Sequence, residues 1–278
     1  MTNNLLEGKK GIIFGALNDK SIAWHVAEKA HEQGARLVLT NAPVAVRMGT
    51  IDALAEKTGS EVVTADATSM NDLEVLFRRA MEIFDGQTDF VLHSIGMSPN
   101  VRKGIPYAES SYENMLKTLD ISALSFHRVL QTAWKLDAIR EWGSVVALTY
   151  VAAQRTLAGY NDMGDAKALL ESIARSFGYI YGKERHVRIN TISQSPTATT
   201  AGAGIAGFDS LVDFSDRMSP LGNADASDCA DVCITLFSDL TRKITMQNIF
   251  NDGGFSSMGM SERAIEQYNK SFRECPDK

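Results

Sequence analysis

Positive charge is in short supply for a nucleic-acid surface: 28 Lys and Arg stand against 34 Asp and Glu, a formal net charge of −6, whereas a phosphate backbone demands a basic excess. The partner to expect is a small molecule or an acidic protein, not a nucleic acid. No apolar run approaches the roughly 18 residues of a membrane-spanning helix, and the opening MTNNLLEGKK lacks the basic-then-apolar pattern of a secretory signal. A cytoplasmic location without membrane association is the expectation. Cysteine is scarce: Cys229, Cys233 and Cys275 cannot all pair, and their placement has no metal-ligand rhythm. Cys229 and Cys233 should line one buried helix face. His25, His31, His93, His127 and His186 show no ligand spacing either, so no metal is assigned. Internal repeats and interdomain linkers are also missing, and 278 residues with 44% hydrophobic and 22% charged content fit one large α/β domain.

What is present is an alternation of strand and helix patterns. Lys10 to Gly15 is a short apolar run ended by glycine, as in a buried parallel strand entering a turn. Ile22, Ala23, Val26, Ala27 and Ala30 then recur at helical spacing, with Ser21 as the N-terminal cap and Gly34 as the stop. The loop between them aims backbone N–H groups and a helix N-terminus above the sheet, which suits a pyrophosphate. It lacks the G-x-G-x-x-G pattern, and an ordinary strand-to-helix turn would look the same. Further strands are read at 36–40, 61–64, 90–96, 144–149, 187–193 and 247–251, and helices at 44–57, 73–84, 112–139, 160–181 and 228–238. This cadence predicts a doubly wound, Rossmann-like parallel sheet whose carboxyl edge gathers Gly15, Asp66 and Ser94. The segment 194–217, rich in Thr, Ala, Gly and Ser, is too long for a plain connection. It reads as a mobile lid over that edge or as a surface loop, with Ala201, Ile205 and Phe208 supplying an apolar face.

Tyr160 and Lys167 stand seven residues apart in a helical pattern. At roughly 100° per residue this falls about 20° short of two turns, so the two share one face. A phenol and an ammonium on one stripe serve an oxygen that gains negative charge beside a nucleotide ribose, although the same spacing also occurs in exposed pairs without function. Tyr150 closes the fifth strand ten residues upstream, on the same carboxyl edge.

With these residues in place the chain resembles the short-chain dehydrogenase/reductase superfamily, and within it the FabI-type enoyl-acyl-carrier-protein reductases. The superfamily's usual Tyr-x-x-x-Lys is absent, since Gly164 stands four residues after Tyr160; the wider spacing to Lys167, with Tyr150 upstream, is the enoyl-reductase pattern. Gly15 with Ser21-Ile22-Ala23, Asp66, His93-Ser94-Ile95-Gly96, Asp120-Ile121-Ser122, and Pro196 with Thr199 agree with it. The likeness runs over about residues 5–260 and leaves 261–278 as a C-terminal extension, where Ile265, Tyr268 and Phe272 would line one stripe of a short helix.

The resemblance implies NADH-dependent reduction of trans-2-enoyl-acyl-carrier-protein thioesters in type II fatty acid elongation, by a homotetramer. It assigns Tyr160 to the thioester oxygen, Lys167 to the nicotinamide ribose hydroxyls and Tyr150 to closure of the pocket. It sets Gly15, Ser21, Ile22, Asp66, Ala67, Ser94, Gly96 and Thr199 around the dinucleotide, and Gly96, Thr197, Ala201 and Phe208 beside the substrate with the two tyrosines. Thr197 replaces an aliphatic residue of the family pattern, so a more polar pocket is expected there. The end of the second strand, Asn41-Ala42-Pro43-Val44, offers no cation for a 2′-phosphate and Arg47 is the nearest, so NADH is expected over NADPH. A ketoreductase or alcohol dehydrogenase on this fold would carry the short Tyr-x-x-x-Lys spacing, and a non-catalytic dinucleotide sensor would be free to lose Tyr160 or Lys167.

Overall fold

In the computed structural model, which describes residues 3–200, 202 and 207–274, the apolar runs of the sequence become strands and the amphipathic runs helical segments. β1 (Lys10–Phe14) leads through α1 (Ile22–Glu32) to β2 (Arg36–Thr40), then α2 (Pro43–Met48), α3 (Ile51–Thr58) and β3 (Glu61–Val62). α4 (Met70–Phe84) precedes β4 (Thr88–His93), and α5 (Pro99–Arg102), α6 (Tyr112–Leu119) and α7 (Ser125–Lys135) precede β5 (Ile139–Thr149). The long α8 (Asn161–Arg185) feeds β6 (Arg188–Gln194), followed by α9 (Phe208–Met218), α10 (Ala226–Phe237), β7 (Asn248–Asn251) and α11 (Glu262–Glu274).

All seven strands pair in parallel in the order β3-β2-β1-β4-β5-β6-β7. Alternation along β1 explains the two cores: Ile12 and Phe14 point into the layer with Phe77, Phe126 and Leu170, and Ile13 points into the layer with Ala27, Leu54 and Cys233. Both Cys229 and Cys233 are buried on α10, as their spacing predicts. Full burial of a Phe or Leu side chain is worth roughly 1.5–3 kcal/mol, so stability resides in these layers and the carboxyl edge is left to carry a site. No helix among the described residues is long and apolar enough to cross a membrane.

Three expectations change. The helix read at 44–57 is split at Gly49-Thr50, because the Thr50 N–H donates to the Leu17 carbonyl at 2.8 Å and a Cβ on Gly49 would collide with that same carbonyl. The pattern read as one helix over 112–139 holds a π-helical turn at Asp120–Leu124, and its last residue opens β5. At that turn Ser122 Oγ accepts from the Met97 N–H (2.9 Å) and donates to the Met97 carbonyl (3.0 Å), a tertiary pairing that regular winding would not offer. The second half of the 194–217 segment is the helix α9, capped by Gly207; Ala201 and Ile205 lie outside the described residues.

The C-terminal helix forms as the spacing predicts. It is held to α9 by Ser261 Oγ donating to the Arg217 carbonyl (2.6 Å) and by an Arg263–Asp216 ion pair (2.9 Å). Ile265, Tyr268 and Phe272 stay exposed on it, the last two rings edge to face at 4.6 Å.

Candidate active site

β1 and β4 are neighbours in the sheet although their helices leave to opposite faces, and the crevice above their carboxyl ends is the switch point of the fold. Gly15 sits there with φ +97°, and a Cβ would collide with the Ser94 carbonyl, so both glycine's conformational freedom and its size are required. The expectation that Ser21 caps α1 is half right. Ser21 occupies the cap position, but its hydroxyl turns back to accept from the Leu17 and Asn18 N–H groups (3.1 and 3.3 Å) and donates to the Asn18 carbonyl (2.5 Å). The first turn of α1, beginning at Ile22, therefore has neither a side-chain cap nor an acid, an N-terminus that fits a pyrophosphate.

Asp66 follows β3, where its neighbour Ala65 donates to the Asn41 carbonyl at 3.1 Å. Its Oδ1 accepts from the Thr68 N–H and hydroxyl (2.8 and 2.7 Å), and Ala67 beside it is buried, while Ser69 caps α4. Asn41 Nδ2 donates to the Ala16 carbonyl (2.9 Å), which joins the end of β2 to the first loop. Arg47 is exposed on α2. Across the crevice, Asn18 and Thr200 exchange side-chain hydrogen bonds (2.9 and 3.2 Å), so the loop after β1 touches the segment after β6. In that segment Thr199 Oγ1 accepts from the Gly202 N–H (2.9 Å), and Phe208 is buried against Gly202. Thr197 spends its hydroxyl within the turn, donating to the Ser195 carbonyl (2.9 Å) and accepting from Gln194 (3.3 Å). Its hydroxyl is therefore less free than the residue type suggests.

Tyr150, Tyr160 and Lys167 come together where β5 ends. Tyr160 is not inside α8 but at its N-cap, and the Tyr150 and Tyr160 rings meet edge to face at 5.1 Å and 61°. Burial raises both phenols well above their ordinary range, with each other's proximity and Asp252 adding to Tyr150. At neutral pH both are therefore protonated donors. The Tyr150 hydroxyl is buried and has no partner among the described residues. Lys167 is 8% exposed, which rules out a solvated helix lysine. One of its N–H donors goes to the Leu148 carbonyl at 2.9 Å, leaving two of an ammonium's three. Burial pushes it down to about 8, with Glu171 pulling it up. A Cβ on Gly96 would lie 3.6 Å from the ammonium, so the small residue keeps open the space in front of it.

Sequence reasoning missed four groups behind these side chains. Asp162 is fully buried and accepts from Ser98 (2.5 Å), Asn100 (2.8 Å) and Thr118 (2.9 Å), which fastens the chain after β4 to the start of α8. Asn161, at φ +40°, is held by donating to the Ile105 carbonyl (2.6 Å) and accepting from Ser110 (2.8 Å), and this sets Tyr160. His93 ends β4 between Phe14 and Phe126, held down to about 3 by burial and then by Lys167. Ser125 gives its one hydroxyl hydrogen to the Ile121 carbonyl (2.6 Å), so His93 Nε2 donates to Ser125 (2.9 Å) and Nδ1 carries a lone pair. Glu171 is buried as well, one helical turn beyond Lys167.

An uncapped helix N-terminus at a switch point, on the same carboxyl edge of the sheet as a buried lysine and two protonated phenols, is the site of a dinucleotide-dependent oxidoreductase on a doubly wound sheet. The family model described as "Enoyl-(Acyl carrier protein) reductase" matches residues 15–256. Enoyl-[acyl-carrier-protein] reductase [NADH] 2 of Rhizobium meliloti is 34% identical over 260 residues, 93% of this chain and 95% of the relative. The crystal structure of a FabI–NADH complex from Alistipes finegoldii superposes with a TM-score of 0.94 at 68% identity, covering 95% of this chain and 94% of that one. That of enoyl-[acyl-carrier-protein] reductase (NADH) from Aquifex aeolicus gives 0.85 at 33%, covering 92% and 99%. The chain belongs to the enoyl-acyl-carrier-protein reductase family.

Proposed function

We propose that this chain reduces trans-2-enoyl thioesters carried on acyl carrier protein, with NADH as reductant, in type II fatty acid elongation. The observation that carries the reading is the buried set Tyr150, Tyr160 and Lys167 at one strand end, with Gly96 leaving room before the ammonium. NADH, when bound, supplies hydride to the β-carbon, and a proton taken up at the α-carbon completes the acyl thioester.

The chain's own residues do the rest. The α1 N-terminus and the loop Gly15–Ser21 receive the pyrophosphate, and Ile22, Asp66, Ala67, Ser94 and Thr199 surround the dinucleotide. Lys167 uses its two remaining donors on the nicotinamide ribose hydroxyls. Tyr160, kept protonated by burial, donates to the thioester oxygen as the enolate develops, and Tyr150 closes the pocket over the same group. Thr197 and Phe208 border the acyl chain, and the assignment of Ala201 beside them lies outside the described residues. The strand end Asn41-Ala42-Pro43-Val44 carries no cation and Arg47 is exposed farther along α2, which favours a free 2′-hydroxyl and hence NADH.

Residues 1–260 form the catalytic domain and 261–278 an extension, whose Ser261 and Arg263 bond to α9. The exposed Tyr112 and Leu116 on α6 and Tyr179 on α8 suit burial between subunits of a homotetramer, and the reaction takes place in the cytoplasm. The test is oxidation of NADH with crotonyl and longer enoyl thioesters, run beside β-ketoacyl thioesters. Turnover of the enoyl series alone is expected; turnover of the ketoacyl series alone would overturn the reading in favour of a ketoreductase.

A further inference from the structure

Glu171 lies one turn beyond Lys167 on α8, on the same face, and both are buried. Among the described residues no cation bonds its carboxylate. Oε1 accepts from Thr149 Oγ1 (3.0 Å) and Asn248 Nδ2 (3.2 Å), and Oε2 accepts from Gln154 Nε2 (3.0 Å). Those partners belong to the end of β5, to β7, and to the turn between the two tyrosines. Lys167 meanwhile grips the Leu148 carbonyl, so helix α8 holds two successive residues of β5 just before Tyr150, one through the ammonium and one through the carboxylate.

We propose that Glu171 is a positioning residue of the reaction: it is the buried counter-charge that keeps Lys167 cationic, and it ties the strand end carrying Tyr150 to the helix carrying Lys167. The proposal rests on the reading of Lys167 as the ribose ligand. A buried ammonium bonded only to neutral groups loses its proton readily, because desolvation penalises the charged form. Three described neighbours supply no negative charge at neutral pH: His93 from β4 is neutral, and Tyr150 and Tyr160 are protonated phenols. Asp252, after β7, acts on Tyr150. Glu171 is the anion that acts on Lys167, and it raises it.

The test is the pH profile of kcat/KM for NADH, which reports the free enzyme. Lysine is protonated below its pKa, so the wild-type profile falls on the alkaline side as Lys167 titrates near 8. Glu171→Gln keeps an acceptor for Thr149 but removes the charge, and the alkaline limb should move down by on the order of one pH unit, the shift ordinary for a nearby charge. Activity above the limb should then drop about tenfold, with much less loss at pH 6. A uniform loss with the limb unmoved would show a merely structural residue and overturn the proposal.

Glu171→Asp keeps the charge while withdrawing it from Thr149 and Asn248. Its limb should stay near the wild-type position while KM for NADH rises, and a limb displaced as in Glu171→Gln would also overturn the proposal. This second variant carries the test if the first does not fold. Lys167→Ala separates the two readings. If it leaves NADH binding unchanged, the ribose-ligand reading fails; if it weakens binding while Glu171→Gln leaves the limb in place, only the present proposal fails.

Discussion

Tyr150 and Tyr181 are both buried tyrosines with phenols raised by desolvation, yet removal of the hydroxyl should move stability in opposite directions. The Tyr181 hydroxyl donates to the Leu130 carbonyl at 2.9 Å. The Tyr150 hydroxyl has no partner among the described residues. An unbonded buried hydroxyl costs about 1–3 kcal/mol, while the ring contact with Tyr160, worth about 0.5–1.5 kcal/mol, survives in phenylalanine. Tyr150→Phe should therefore stabilise the ligand-free protein by about 1–2 kcal/mol. At about 2 °C per kcal/mol for a chain of this size, Tm should rise by about 2–4 °C. Tyr181→Phe should lower Tm by about 2 °C, since it deletes a satisfied hydrogen bond worth about 1 kcal/mol.

Catalysis should follow the opposite order. If the free hydroxyl of Tyr150 is kept for the thioester, Tyr150→Phe loses one hydrogen bond to the bound substrate, or about 5–10-fold in kcat/KM for a crotonyl thioester. Tyr181→Phe, in the core far from the strand end, should leave kcat/KM within a factor of two or so. The assay is a thermal melt of each ligand-free variant followed by initial-rate kinetics on the same preparation. A fall in Tm for Tyr150→Phe would show that the hydroxyl already has a structural partner. A rise in Tm with unchanged kcat/KM would show that it meets no substrate. Either result refutes the reasoning, because instability stored at a site is explained only if the ligand relieves it.

Tyr160→Phe removes the donor to the developing enolate and should slow the chemical step by about 10², the low end for such donors, whereas Lys167→Ala should raise KM for NADH as well as lower kcat; both are read from full initial-rate matrices. His93 is neutral in the fold with a value of about 3, below the roughly 6.5 of an unfolded histidine. Its contribution is therefore complete above about pH 6.5 and is lost as pH falls toward 3, and His93→Gln should show a shallower decline of urea midpoint between pH 7 and 4.5 than the wild type. Deleting residues 261–278 removes the Ser261 and Arg263 contacts to α9 and should lower Tm or loosen assembly, to be read by melting and light scattering. NADPH should give the lower kcat/KM, and Arg47→Ala should not change the value for NADH.

The fold was legible because its strands are buried on both faces and so read as short, unbroken apolar runs, and because a helix such as α4 repeats Leu73, Leu76, Phe77, Ala80 and Phe84 on one stripe. What the sequence hid was always a contact between distant segments. The break at Gly49 answers to the Leu17 carbonyl, and the π-helical turn answers to Met97; neither partner can be foreseen from local periodicity.

The site divides along the same line. Strand-end positions announce themselves, since a glycine or tyrosine closing an apolar run has to stand at the carboxyl edge. Asp162 does not, because its partners lie 44 to 64 positions away, and an acid in a helix's first turn ordinarily signals nothing more than a favourable dipole. Glu171 was hidden by the habit of reading helical acids as solvent-facing. Yet once Lys167 is placed inward, the residue four positions on must face inward too. A buried ammonium on a helix thus predicts a search for its counter-charge at the next turn along the same stripe, and here that search ends on a carboxylate which, among the described residues, accepts only from neutral donors.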